Sequence, residues 1–369
     1  MIPPIPQPDP VPLPAPGWLL WGLLMFTFFL HLIPMNLVLG GSLIGAITRV
    51  RARRGTRPHE TALAHLIVKS LPVLMAAAVS MGVAALLFLQ VLYGRLFFVS
   101  ALLMGWWWLG VIPLLVLTYY AVYLMAFRER DLAEAGTLVA WTIAAVLGLI
   151  ALIYGNNMSL MLRPQEFVGR YVNDGRGVQL NLLDPTLIPR HLHMVLGAIA
   201  VSGLAIAVLG VIRRHADAEF ARFAIRYGAF FCGMATVINI FAGLWWLAAL
   251  PREVILRFMG QDMTAILVLL LGILFTVSAA GLLIHGAAGR RPEIGVFGSV
   301  AALLLGIVMM LFTRDTVRSA ALATAGFQPV TWVAPQWGPI AIFAVLLVGA
   351  IGTVAWMVRA LAVSEAGGK

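Results

Sequence analysis

Few residues in this sequence could do chemistry, and most of those are histidines. His191 and His193 stand in RHLHMVLGAIAVSGLAIAVLGVIRR, at the mouth of nineteen uncharged, mostly apolar residues from Met194 to Ile212. At about 1.5 Å per residue, such a run crosses a hydrocarbon core as one helix. Two residues turn a helix through about 200°, so only one of the two histidines can face a given neighbour. His31 lies well inside another apolar run, flanked by Phe28, Phe29, Leu30, Leu32 and Ile33. An ionisable side chain at that depth is a functional hypothesis by default, because lipid solvates it poorly. Met263, preceded by Asp262, opens a third apolar run at a depth similar to that of His193. A neutral imidazole and a thioether form a recognised axial pair for haem iron, and a pair that fills both axial positions suits electron transfer rather than gas binding. Spacing therefore nominates His193, and after it Met263, as haem ligands, against the background that most of the sixteen methionines serve packing.

Side chains at such depths need a scaffold of membrane helices, and the composition demands one. Of 369 residues, 62% are hydrophobic and 11% charged, too few polar groups to cover a soluble globule. The expected fold class is an all-α polytopic membrane protein with nine transmembrane helices. The spans are read as 17–48, 62–90, 101–127, 137–162, 186–212, 223–250, 263–288, 294–312 and 339–357. They divide into a first four-helix group (17–162), an outer loop (163–185), a second four-helix group (186–313), an outer loop (314–338) and a ninth helix with a cytoplasmic tail (339–369). A weak internal echo supports two groups, because FLHLIPMNLVLGGSLIGAITR of span one and the span-five stretch share an early histidine, a Gly-rich middle and a basic end.

Charge orients the bundle. The cluster RVRARRGTRPH follows span one and places that loop in the cytoplasm and the N-terminus outside. Residues 1–16 hold eight prolines and no basic residue, which reads as an exposed outer tail of polyproline character rather than a cleavable leader. The formal charge of +10 is spread in short inter-span clusters, the pattern of membrane orientation and not of nucleic-acid binding. Nine arginines nevertheless fall at outer ends (Arg95, Arg163, Arg170, Arg176, Arg190, Arg252, Arg257, Arg314 and Arg318). Pairing with nearby acids and service to an anionic cofactor are both open readings of them. Cys232 is the single cysteine, so an internal disulfide, a cysteine-ligated cluster and a covalently attached haem are excluded. His59 and His215 read as solvated loop residues, and His65 and His285 as interfacial ones that force no further haem. The tryptophans at 106–108, 245 and 246 read first as an interfacial belt and second as the lining of a cofactor pocket.

Several stretches in order resemble subunit I of the cytochrome bd quinol oxidase family. HLIPMNLVLGG resembles the segment carrying its span-one histidine, and AAVSMGVAALLFLQVLYGRLFFVSALLMG its second and third spans. YGNNMSLMLRPQEF resembles the exit of its fourth span and DPTLIPRHLHMV the start of its fifth. The resemblance implies b-type haem, one or more. His193 and Met263 would hold the low-spin haem, and His31 would lie on the high-spin side. Departures are equally plain. WWWLGVIPLLVL carries no carboxylate where the family has acids for oxygen chemistry, LFTRDTVRSAAL replaces its glutamate ligand and GRQPW motif, and the quinol loop shrinks to PREVILRFMGQD. Arg314 and Arg318 would then serve as propionate partners.

The implied function is a haem b electron-transfer subunit of a bacterial or archaeal cytoplasmic membrane, embedded in lipid and without oxygen reduction. It would exchange electrons between the quinone pool and an outer cytochrome c or iron-sulfur subunit, in a complex that could include a second bd-like membrane subunit. The alternatives are a haem-free quinone-binding anchor of an oxidoreductase complex and a secondary transporter.

Overall fold

The computed structural model describes residues 5–6, 8–9, 11–53, 57–132 and 134–367. Lys369 and part of the N-terminal tail lie outside them. The helices, in order, are α1 (Gly17–Ala52), α2 (Pro58–Leu103), α3 (Gly105–Leu132), α4 (Ala135–Met161), α5 (Phe167–Asn173), α6 (Leu187–Arg213), α7 (Ala218–Ala248), α8 (Arg252–Leu256), α9 (Met263–Ala288), α10 (Pro292–Thr324) and α11 (Trp337–Gly367). Among the described residues, nine are long and apolar enough to span a membrane. Starts and stops follow local chemistry. Pro58 and Pro292 open α2 and α10, where a missing N–H costs nothing. Asp217 caps α7 by accepting from the N–H groups of Glu219 and Phe220, and Asp262 caps α9 by accepting from Ala265.

The large apolar side chains that point outwards, such as Trp18, Tyr120, Phe127 and Phe241, are the lipid-facing surface of such a bundle. Inside, α1 to α4 share two apolar clusters and α6, α7, α9 and α10 share another. The two groups meet along α1 and α6. A Cβ on Gly40 would run into the carbonyl of Ala198, so the backbones touch there, and Ser202 donates from Oγ to the carbonyl of Asn36 at 3.1 Å. Without a hydrophobic drive between helices in lipid, small residues and buried hydroxyls of this kind hold helices together. The last helix, α11, lies on the outside, with Phe343 edge-on to Phe88 of α2 at 4.8 Å.

Three expectations are corrected. First, α10 runs on to Thr324, so Arg314, Asp315 and Arg318 are not in an outer loop but in a helix, with Arg318 buried. No Gly or Pro interrupts the chain there, and Arg318 neutralises Asp315 one turn away. Second, the N-terminal tail is not simply exposed. Leu13 is buried, its N–H donates to the carbonyl of Trp332 at 2.9 Å, and its own carbonyl accepts from Ala334 at 3.0 Å. Extended proline-rich backbone still offers carbonyls, and this segment uses them. Third, the segment 163–185 is structured. It holds a 3-10 turn, Pro164–Glu166, then α5, and a network in which Arg163 pairs with Glu166 and Asp184 and Arg170 with Glu166.

Candidate functional site

His31 and His193 are presented by one repeated arrangement. In α1, the Nδ1 of His31 lies 2.8 Å from the carbonyl of Ala78 in α2, and a Cβ on Gly82 would sit 2.9 Å from the same ring. In α6, the Nδ1 of His193 lies 3.4 Å from the carbonyl of Asn239 in α7, and a Cβ on Gly243 would sit 3.2 Å from that ring. In both helix pairs the accepting carbonyl precedes the glycine by four residues, one turn along the same face. A carbonyl only accepts, so Nδ1 carries the proton in each contact and Nε2 is left with its lone pair. That is the tautomer and orientation of a metal-binding imidazole held by its neighbour.

His193 lines a cavity of about 110 Å³ among α7, α9 and α10. Its walls are Thr236, Asn239, Ile240, Gly243, Leu244 and Trp246 of α7, Leu269, Ile273, Thr276 and Val277 of α9, and Met310, Thr313 and Val317 of α10. The predominantly apolar lining with a few polar groups is that of a small-molecule pocket. Trp246 packs against the His193 ring with centroids 5.7 Å apart. His191 does not line the cavity, in keeping with the half-turn between the two rings. Met263 does not line it either. Its side chain is 68% exposed at the start of α9, and the thioether in the lining belongs to Met310. Space for Met310 comes from Gly272, where a Cβ would sit 3.0 Å from the methionine methyl group. Asn239, read from sequence as an ordinary interhelical hydrogen-bonder, instead holds His193 through its backbone, and its side-chain oxygen is buried with no partner.

Arg314 and Arg318 lie on the other flank of α10, toward His31. The Arg314 guanidinium stands 4.2 Å over the Phe28 ring and that of Arg318 stands 4.7 Å over Tyr93. Arg318 pairs with Asp315, whose second oxygen accepts from Trp21 Nε1 at 2.9 Å. Phe28, under Arg314, also lies 6.1 Å from the His31 ring, while Met310, one turn before Arg314 on α10, lines the cavity with His193. Among the described residues no three of His, Cys, Asp and Glu cluster as a bare metal site would require. A macrocycle needs only one or two protein atoms at its iron, and the residues here fit that case.

Sequence reasoning missed Met310, Gly82, Gly243 and the two carbonyls. Met310 is one of sixteen methionines, and a backbone acceptor has no side-chain signature. Of the two readings left open for the arginines placed at outer ends, pairing with acids holds for five of them. Arg163, Arg170, Arg176, Arg257 and Arg318 all have acidic partners, while Arg95 and Arg252 remain exposed.

No family profile and no curated protein matches the chain. Among solved structures it is similar to the bd oxidase from Geobacillus thermodenitrificans, with a TM-score of 0.67 at 12% identity, over 95% of this chain and 99% of that one. The chain is thus a multi-pass helical membrane protein with a divergent bd-oxidase-like fold.

Proposed function

We propose that this chain is a haem b electron-transfer subunit of a membrane oxidoreductase complex. The observation that carries the reading is His193, oriented through Asn239 at the wall of an apolar cavity that also holds the Met310 thioether. In this reading the His193 imidazole and the Met310 thioether, rather than that of Met263, would hold the haem. A haem bound there would take up and release one electron. The chain's own part is to fix the ring through the Asn239 carbonyl, pack Trp246 beside it and keep water out with leucine and isoleucine from α7 and α9. His31, held in the same way, is a candidate ligand for a second haem, and Arg314 and Arg318 stand beside it.

Oxygen reduction is not part of the proposal. Acid-base groups must lie within reach of bound oxygen to deliver protons. The membrane part of α3 carries no carboxylate, and near His31 the Asp315 carboxylate is already engaged by Arg318 and Trp21. Electrons would pass between the quinone pool and a partner subunit. That partner would be an outer cytochrome c or iron-sulfur subunit. A transporter would need helices broken near mid-membrane. The non-helical residues here, Tyr93, Arg128, Met259 and Gly260, lie toward helix ends.

The test is a dithionite-minus-oxidised optical spectrum of the subunit purified from its native membrane. Sharp α bands of b-type haem are expected. A featureless spectrum would overturn the reading in favour of a haem-free quinone-binding anchor. Cyanide-sensitive quinol oxidase activity is expected to be absent, and robust oxygen uptake would refute that part.

A further inference from the structure

Where α6 turns into α7 and α9 into α10, residues 213–226 and 290–293 hold six arginines against three acids. The two turns adjoin, because Arg214 pairs with Glu293 at 3.1 Å. Each acid is committed: Asp217 caps α7, Glu293 holds Arg214, and Glu219 stands 4.0 Å from Arg222. Arg226, Arg290 and Arg291 are exposed and have no acid, hydrogen-bond acceptor or aromatic ring as partner among the described residues. Packing puts these three at one height. α7 and α9 run antiparallel, since Leu247 and Leu250 of α7 share a cluster with Ala265 and Leu269 of α9, while toward the other end a Cβ on Gly233 would sit 2.8 Å from Ile284. From that contact Arg226 lies about two turns back along α7, on the same side as Gly233, and Arg290 and Arg291 lie a similar distance on, just past the end of α9.

We infer that this corner of the bundle binds the headgroup of an anionic phospholipid, with its phosphate on Arg226, Arg290 and Arg291. Depth favours a lipid. Arg226 stands about 33 Å from the Ala248 end of α7, close to one hydrocarbon thickness, so its guanidinium lies at the level of phosphates and not of acyl chains. Below it the surface turns apolar, with Phe230 of α7 and Ile284 of α9 exposed where an acyl chain would lie. Guanidinium forks match phosphate oxygens in two-point contacts, and a basic pocket between membrane helices is the usual form of a headgroup site. Charge selects the lipid class. A zwitterionic headgroup brings a cation with every phosphate and would leave the excess as it is, whereas an anionic one offsets it.

The experiment takes the full chain with its native cofactors, strips lipid in detergent, and titrates it with phosphatidylglycerol or phosphatidylcholine while native mass spectrometry counts the bound lipid. Wild type is expected to prefer phosphatidylglycerol at least about tenfold, the factor of one charge-assisted hydrogen bond. Arg226→Gln combined with Arg291→Gln should abolish that preference. The control combines Arg128→Gln with Arg176→Gln, which removes the same charge from two exposed arginines already paired with Asp131 and Asp174, and should keep it. Single Arg226→Gln should lose part of the preference and carries the test if the double variant does not fold. Equal binding of the two lipids by wild type would overturn the site, as would a loss in the control as large as that in the double variant. Displacement of phosphatidylglycerol by inorganic phosphate at fixed ionic strength would also overturn it, because a site for the free ion needs no lipid.

Discussion

His31 and His193 belong to different helix groups, yet each aims its Nδ1 at a backbone carbonyl one turn before a glycine of the neighbouring helix. The glycine lets the ring lie flat against that helix, and the carbonyl sets its tautomer. The contact is tighter at His31, 2.8 Å against 3.4 Å. The weak sequence echo between spans one and five thus becomes a structural repeat of two imidazole holders.

The histidines should separate spectroscopically. His193→Ala is expected to remove the low-spin b-haem band and His31→Ala a different part of the spectrum, while His191→Ala, outside the cavity, leaves both nearly intact. Redox difference spectra of the three variants are the measurement, and equal loss from His191 and His193 would defeat the orientation argument.

Met310→Leu keeps volume and removes the thioether, so the His193 signal should change from low-spin to high-spin character with little loss of stability, under about 1.5 kcal/mol. Met263→Leu, at an exposed site, should change nothing. Magnetic circular dichroism of the reduced protein distinguishes the two variants. The opposite ranking would restore Met263 as the ligand.

Gly82→Ala places a methyl group 2.9 Å from the His31 ring, closer than side-chain carbons pack. The ring must shift or the helices part, at a cost of about 1–3 kcal/mol, and any cofactor on His31 should be lost first. Gly243→Ala, with 3.2 Å to His193, should show the same effect in milder form. Thermal melts paired with haem content check the order.

Glu166, in the segment between α4 and α6, gives a pH prediction. Partial burial alone would raise its carboxyl, but hydrogen bonds from Arg170 and Arg163 outweigh that and hold it below its ordinary value of 4.5. Its contribution to stability is therefore complete above that value and lost as the pH falls through the lowered one. Melting temperatures between pH 6 and pH 3 should fall for wild type and less steeply for Glu166→Gln. The difference should stay small, within about 1 kcal/mol, as for other partly exposed pairs. An unchanged acid slope in the variant would remove Glu166 from this role.

The spans, their number and the division into two groups were legible because lipid imposes one rule on every crossing segment: about twenty apolar residues with all backbone groups paired inside the helix. That rule is local, so the sequence alone determined where helices lie and that His31 and His193 sit within them. It could not place a helix end such as that of α10, where an Asp315–Arg318 pair carries charged residues onward as helix. Nor could it show that Met310 rather than Met263 lines the cavity beside His193, since facing depends on how α6, α7, α9 and α10 rotate against one another. Only the tertiary structure decided which thioether lines the cavity, which carbonyls hold the imidazoles, and which arginines have an acid beside them. Those are relations between surfaces of different helices, and lipid-compatible hydrophobicity, being much the same all round a helix, does not encode them.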